Sequence, residues 1–449
     1  MKITKKFRGS ITWRRLGWAA GIYLGVELSG ALLLGVPPSL LYYASARNGL
    51  EGARIRVAEA LLRPKDPGPA PEETVVAAVN GFGFRVFSEL TRGTAGQNVF
   101  FSPCSVATGM TMAYNGAAGH TQATMAQSLG VDGIPLADVN TAYERIQAHL
   151  AATHPRIRVA NAHGLWVDDQ ARLVPDFAQR MDDSYSAQAK ALDLQAPGAA
   201  GQINGWVKAK TKGRIDHVLN GLGSLDRLVL VDALTFHGKW THQFETSKTR
   251  HAPFHRLDGS EKTVPMMSQK ATVGFLRSPD GTFTAGRLPY GDGSMAMYVF
   301  VPLATDGLPA FLEALTPERW EGWIGEFHEQ EIRIALPRFR AEYAGTLNDP
   351  LIAVGMGEAF DRDPAHPADF SAMAETAAGL SIGGVLHKAQ LEVDEAGTRA
   401  EAVTVVIMRT RGRSTGLCAD RPFFCAIRDE RTGLILFAGA IYDPEPLGQ

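Results

Sequence analysis

From residue 72 onward, the sequence predicts a fold of mixed α and β structure, class α+β. The chain has 449 residues, of which 45% are hydrophobic and 20% are charged. This composition is typical of a globular protein with a large core. Stretches with helical spacing alternate with strand-like stretches without a regular strand–helix–strand period, so the pattern by itself supports no finer class.

The elements follow one another from residue 72. Val76, Val79, Val86 and Leu90 recur at helical spacing and predict a first helix. A short apolar strand follows residue 98, and a second helix begins at Ser102. Further strands are predicted over 156–166, 228–240, 294–301, 331–336 and 385–393, and a helix over 201–212.

Residues 1–46 form a separate segment. Six basic residues lie among the first fifteen, and the apolar run 16–36 is interrupted only by Glu27. This run has about the ~20 residues that span a bilayer, and it exceeds the usual core of a signal peptide. We therefore predict a signal-anchor transmembrane helix. The alternative is a long signal peptide cleaved after Ala46.

Both interpretations of residues 1–46 place the remaining chain outside the cytoplasm, in the periplasm or the extracellular space. The basic cluster should stay cytoplasmic, and the rest should then cross the membrane. In the favoured interpretation the protein stays attached to the membrane through residues 16–36. Residues 47–71 are predicted to form a stalk and a linker, because four prolines and a glycine within 64–71 favour an extended spacer.

Charge and cysteine content exclude several functions. The net charge is −2, and the basic residues beyond the N-terminal cluster are scattered, so we expect no nucleic-acid partner. The three cysteines cannot form a disulfide framework, and there is no C-x-x-C pair. We therefore predict no metal site and no cofactor, and we expect the cysteines to be buried small hydrophobic residues.

The segment 395–416 carries the most functional information. From Thr398 the residues alternate: Thr398, Ala400 and Ala402 begin an uncharged face, whereas Arg399 and Glu401 lie on the opposite face. No proline occurs between 391 and 421, so the backbone can join a hydrogen-bonded ladder. An arginine-rich polar stretch, 409–416, follows. A strand able to insert, joined to a protease bait, is the arrangement of a suicide protease inhibitor.

This segment and several other motifs resemble the serpin family. The motifs occur in the family's order and cover the chain from Glu72 to Pro444. The resemblance implies one large domain, 72–449, with three β-sheets surrounded by about eight or nine helices and an exposed reactive-centre loop. It also implies an inhibitor and not an enzyme. The motifs that carry it are NVFFSPCS at 98–105, TKGRI at 211–215, LVLVDALTFHGKW at 228–240, APFH at 252–255, the loop itself, DRPFFCAIRD at 420–429 and GLILFAG at 433–439.

The resemblance also assigns a hinge at the base of the loop. Its residues are Glu395, Gly397, Thr398, Ala400 and Ala402. The small, uncharged members suit a strand that slides between existing strands and over the core. The family usually has alanine at positions 401 and 403, where this chain has glutamate and valine.

Loop length sets the predicted reactive bond. Counted from the hinge Gly397, the family's register places Arg411 before the cleaved bond and Gly412 after it. An arginine there would fill the carboxylate-floored pocket of a trypsin-like serine protease. Arg409 and Arg413 remain rival baits in neighbouring registers.

A further polar set is implied beneath the point where the sheet opens. Asp232 replaces the family's usual asparagine and is expected to pair with His387, which would make opening sensitive to pH. Trp240 resembles the tryptophan below the site where insertion begins, and Arg338 is expected to pair with Glu395. The predicted set around the opening is Ser102, Ser105, Asp232, Trp240, Arg338 and His387.

We therefore expect a suicide inhibitor that forms a covalent complex with a trypsin-like serine protease. The chain should be a monomer, although the β-prone run 404–408 makes loop–sheet polymers a liability. Two alternatives stay open: a non-inhibitory serpin acting as a substrate, carrier or chaperone, and an inhibitor of cysteine proteases. The G-x-S-x-G match at 379–383 is not favoured as a hydrolase site, because polar and alanine-rich residues precede Ser381 where a strand is needed.

Overall fold

The computed structural model describes residues 73–363, 365–375, 379–397 and 416–447. The predicted anchor and linker, residues 1–71, lie outside these ranges and stay predictions. Within the described part of the chain, no helix is both long enough and apolar enough to cross a membrane.

Nine α-helices occur in the described residues. The last of them is a short helix that continues into two irregular turns at 352–360. The helices are α1 Glu73–Thr91, α2 Pro103–Gly116, α3 Gly119–Leu129, α4 Leu136–Ala151, α5 Pro175–Tyr185, α6 Ala199–Lys210, α7 Leu308–Ala314, α8 Pro317–Glu326 and α9 Asn348–Leu351.

Sixteen strands are described, and they form three sheets. The strands are β1 Val99–Phe101, β2 Ile157–Asp168, β3 Arg172–Leu173, β4 Gln188–Leu192, β5 Leu228–Gly238, β6 Arg250–His255, β7 Glu261–Arg277, β8 Phe283–Tyr290, β9 Met295–Pro302, β10 His328–Pro337, β11 Phe339–Thr346, β12 Ala374–Glu375, β13 Gly384–Val393, β14 Gly416–Cys418, β15 Phe423–Asp429 and β16 Ile435–Ile441. These strands confirm the predicted α+β class and three-sheet architecture, and the predicted strand positions agree to within a few residues.

The sheets differ in size. The nine-stranded sheet has the order β1-β16-β15-β9-β8-β7-β10-β14, with β6 also paired to β7. The five-stranded sheet has the order β11-β13-β5-β2-β4, and β12 pairs with β3 in the smallest sheet. In the five-stranded sheet β13 and β5 are parallel neighbours, although almost 150 residues separate them in the chain.

Helix α2 links the two large sheets through the core. All fourteen of its residues are buried, and it contacts both β5 and β16. Ser102 caps its first turn by accepting a hydrogen bond from the Ser105 backbone N–H at 3.1 Å, and Pro103 occupies the first helical position. The N-terminus of α2 therefore lies beneath the five-stranded sheet.

The cysteines are free but not all buried. Cys104 and Cys425 are buried, and burial raises the pKa of each thiol to about 12. The expectation that all three are buried is wrong for Cys418, which is exposed. It ends the three-residue strand β14, which is the edge strand of the nine-stranded sheet among the described strands.

Candidate functional site

The candidate site is the seam between β5 and β13. The two strands pair in parallel from Val229 and Gly384 up to Thr235 and Gln390, and the ladder ends there. Beyond this last pair the strands continue for three more residues each without pairing to one another. None of the described strands lies between β5 and β13 at this end, which we call the open end of the seam.

A tight turn at residues 394–397 follows β13. The Asp394 N–H donates to the Gly397 carbonyl at 2.8 Å, and the Gly397 N–H donates back to the Asp394 carbonyl at 3.3 Å. The Asp394 carboxylate also accepts from the backbone N–H groups of Ala396 and Gly397. This is the hydrogen-bond pattern of a two-residue hairpin, which reverses the chain direction between Asp394 and Gly397.

Gly397 touches β5 as well. It forms an isolated antiparallel bridge with Lys239, and its φ of +149° favours glycine. A Cβ atom at this position would lie 2.1 Å from the Gly238 carbonyl oxygen. Only glycine fits this close approach, and it holds Gly397 against the chain that leaves β5.

Glu395 is held by two side chains that are distant from it in the sequence. It is buried, and its carboxylate accepts hydrogen bonds from Arg338 and from the Thr249 hydroxyl, each at 2.5 Å. Its carbonyl accepts from the Phe244 N–H at 2.9 Å. These contacts fix the base of the turn in the closed sheet.

Trp240 supports the same turn from below. Its indole N–H donates to the Asp394 carbonyl at 2.8 Å, and its backbone N–H donates to the Ala396 carbonyl at 3.0 Å. The ring stacks on Tyr290 with 4.3 Å between centroids and 11° between planes. This buried stack places a rigid apolar surface under the open end of the seam.

Lower in the seam, three ionisable residues form one row across three strands. His163 of β2 and His387 of β13 are the direct partners of Asp232 on either side. All three are at least 97% buried. His163 Nδ1 lies 2.5 Å from Asp232 Oδ1, and His387 Nδ1 lies 3.3 Å from Asp232 Oδ2 without the alignment of a hydrogen bond.

The other nitrogen of His387 faces helix α2. Its Nε2 accepts a hydrogen bond from the Ser102 backbone N–H at 3.1 Å. That nitrogen therefore carries no proton, and the ring proton lies on Nδ1, on the side of Asp232. The row links β2, β5, β13 and α2 through buried polar contacts.

The charge of Asp232 depends on its histidines. Burial alone raises the pKa of this carboxyl, but His163 and then His387 lower it further than burial raises it. The net pKa lies below the ordinary value, so Asp232 is ionised. A buried carboxylate of this kind is costly unless its partners stay in place.

The pKa of the Asp394 carboxyl is shifted in the opposite direction to that of Asp232. Burial raises the pKa of its carboxyl to about 6, although the two backbone N–H groups oppose this, and its Oδ2 is buried without a hydrogen-bond partner. A carboxyl whose pKa is raised by folding stabilises the folded state fully at any pH below its unfolded-state pKa. That stabilisation is lost as the pH rises through its folded-state pKa of about 6.

We expect the intact protein to lose about 1 kcal/mol more stability between pH 5 and pH 7.5 than an Asp394→Asn variant loses. One pKa unit corresponds to roughly 1.4 kcal/mol, and the expected loss of about 1 kcal/mol is reduced because solvent screens part of the interaction. Urea unfolding of both proteins at the two pH values measures it. Equal pH dependence in both proteins would remove Asp394 as the cause.

The structure brings six of the predicted residues to the seam. Ser102, Asp232 and His387 lie in one buried cluster, whereas Arg338, Glu395 and Trp240 lie at the base of the loop. Ser105 is buried beside Ser102, but its hydroxyl has no hydrogen-bond partner. The roles assigned to these residues in gating stay predictions. Thr398, Ala400, Ala402, Arg409, Arg411, Gly412 and Arg413 lie outside the described residues.

Three residues at the site were missed by the sequence analysis. Asp394 had a signal, because D-x-x-G is a common turn pattern. His163 and Thr249 had none, since each meets its partner only through contacts between segments distant in sequence.

Ser381 is followed directly by strand β13, where a nucleophile elbow requires a helix. The described residues contain no group of three or more His, Cys, Asp or Glu side chains able to hold a metal ion.

Residues 77–444 match the family model described as serpin (serine protease inhibitor). Among similar proteins, Serpin-Z7 of Hordeum vulgare is 33% identical over 388 residues, which cover 82% of this chain and 96% of that protein. The leukocyte elastase inhibitor of Xenopus tropicalis is 30% identical over 382 residues, covering 83% of this chain and all of the relative.

Solved structures agree with these sequence relatives. The native-state structure of tengpin, a thermophilic serpin, superposes with a TM-score of 0.75 at 27% identity. The match covers 84% of this chain and 95% of tengpin. The seam between β5 and β13 thus occurs in a fold shared with a serpin in its native state.

Proposed function

This chain belongs to the serpin family of serine protease inhibitors, and on that basis we propose that it is a suicide inhibitor of a trypsin-like serine protease. The proposed reactive bond joins Arg411 and Gly412. The observation that carries the proposal is the open seam: the hairpin turn 394–397 delivers the loop to a gap between two parallel strands. Loop insertion in serpins is an established case of strand addition.

The proposed mechanism requires no catalytic group from this chain. The protease serine attacks the Arg411 carbonyl carbon and expels the Gly412 amine, which leaves an ester between enzyme and inhibitor. Residues after Gly397 then enter the seam as a new central strand and carry the bound protease along. Distortion of the protease's oxyanion hole slows hydrolysis by orders of magnitude, so the ester persists.

The stored energy for insertion lies in the open seam. At this end, three residues of each strand pair only with their outer neighbours, β2 and β11, so a strand between β5 and β13 would still form ladder hydrogen bonds with both. The native state is then kinetically trapped, and the contacts of Glu395 and Trp240 hold the turn until the loop is cut.

We expect the full-length chain and trypsin to form a complex that survives denaturation in SDS, and to release a C-terminal peptide that begins at Gly412. Replacing Arg411 with alanine should slow complex formation by at least about a hundredfold, because a pocket built for a charged partner rejects a side chain that lacks it. Gel analysis and peptide mass spectrometry measure both outcomes.

Arg409→Ala and Arg413→Ala are matched controls and should inhibit trypsin at the rate of the unmodified chain. If either control loses inhibition and Arg411→Ala retains it, the assigned bond is wrong. If trypsin cleaves after Arg411 and all of the trypsin stays active, the chain is a non-inhibitory substrate and the proposal of inhibition is wrong.

A further inference from the structure

The outer side of the seam carries a cavity of about 480 Å³ next to the last paired residues. Lys212 and Arg214, which follow helix α6, line one side of it. His237 of β5 and Glu392 of β13 line the strand side. The cavity therefore presents mainly positive charge from the α6 side and one carboxylate from β13.

The registers on both sides of the turn define where each loop residue would lie after insertion. The hydrogen bonds between Asp394 and Gly397 set the register against β13, and the bridge between Lys239 and Gly397 sets it against β5. Continued along the strands, both registers place Glu401 beside Gln390 and Thr235. These two residues are already each other's partners in the closed sheet, so the three registers agree.

The same registers place Arg399 beside Glu392 and His237, two residues that line the cavity. Thr404 falls between His387 and Asp232. An inserted strand would therefore break the buried His387–Asp232 contact and place the small Thr404 side chain between the two residues.

Below the cavity, the outer face of the sheet is apolar and covered. Ile203 and Val207 of α6 pack there against Val229, Val231 and Ala233 of β5 in one buried cluster. Charged side chains inserted under α6 would lose their hydration, whereas apolar ones would extend this cluster.

The sequence of the loop changes character at the matching position. Its outward face is charged at Arg399 and Glu401, which fall beside the cavity. It becomes apolar at Val403, Val405 and Ile407, which fall under α6. Glu401 and Val403, which replace the family's usual alanines, thus match the polar cavity and the apolar cluster that they would meet on this sheet.

We infer that the cavity beside Lys212 is the receiving site for the outward side chains of the inserted loop. Glu401 would bind against Lys212 and Arg214, and Arg399 would bind against Glu392. This inference rests on the proposed function, because it requires insertion. Charge complementarity between the cavity and the loop would then speed insertion relative to hydrolysis of the ester.

The test is a charge-reversal cycle in the full-length chain, with Glu401→Lys, Lys212→Glu and the two combined. Each single change should raise the number of inhibitor molecules consumed per trypsin inactivated roughly two- to fivefold, as expected for a partly exposed ion pair. The double variant should return close to the unmodified value. Lys210→Glu, an exposed lysine of α6 outside the cavity lining, is the matched control and should change nothing.

The heat stability of each loop-cleaved protein gives a second readout that does not depend on trapping. Single variants should unfold at lower temperature than the unmodified cleaved chain, and the double variant should recover. If the unmodified chain traps trypsin but the double variant is no better than the singles, or if Lys210→Glu acts like Lys212→Glu, the inference fails alone. If the unmodified chain neither traps nor gains heat stability on cleavage, the proposed function fails with it.

Discussion

Replacing Thr398 with arginine is expected to turn the inhibitor into a substrate. After insertion, the register set by Gly397 would place residue 398 between Val393 and Gly238, both buried on the inner face of the sheet. A Cβ atom on Gly238 would lie 2.8 Å from the rings of Phe236 and Tyr290, so there is little room at this point. A buried guanidinium without a partner costs several kcal/mol, and insertion would slow accordingly.

Trypsin should still cleave the Thr398→Arg chain after Arg411, because the bait is unchanged. We expect the yield of SDS-resistant complex to fall at least about tenfold, since a barrier higher by about 1.4 kcal/mol already slows insertion tenfold against ester hydrolysis. Thr398→Ser, which stays small and uncharged, is the control and should trap normally. Full trapping by the arginine variant would show that residue 398 does not enter the buried face.

Removing the Asp232 carboxylate is expected to destabilise the native state by roughly 2–5 kcal/mol. Asp232 bridges His163 and His387, and its loss leaves both buried imidazoles without their shared partner. The loosened seam should admit the uncut loop, so Asp232→Ala should lose inhibitory activity on incubation at 37 °C. Urea unfolding and residual trypsin inhibition measure the two effects.

Asp232→Asn separates the shape of this side chain from its charge. An asparagine can still accept a hydrogen bond from one imidazole, so we expect it to recover most of the stability lost in the alanine variant. If the alanine and asparagine variants unfold at the same urea concentration, the row of three residues does not hold the seam closed.

Much of the site was predictable because its residues lie on strongly patterned strands. The apolar alternation of β13 and the continuous apolar run of β5 marked both strands, and the family resemblance implied roles for Asp232 and His387 on them. The expected pairing of Arg338 with Glu395 came from the same resemblance. These predictions required only the identity of each element.

What escaped the sequence depends on register. His163 lies opposite Asp232 only because β2 and β5 pair in one particular alignment, and a shift by one residue would turn it to the other face. The cavity beside Lys212 likewise depends on where the β5–β13 ladder ends. No local pattern encodes such long-range alignments, although D-x-x-G did mark the turn itself.

The most direct test of the account compares the thermal unfolding of the intact chain with that of the chain cut once in the loop by a metalloprotease. Such an enzyme forms no ester, so only insertion can change the stability. We expect cleavage to raise the unfolding midpoint by more than about 10 °C, because the new strand would complete ladders on β5 and β13. Midpoints that agree within about 2 °C would show that the seam does not accept the loop, and would contradict the account.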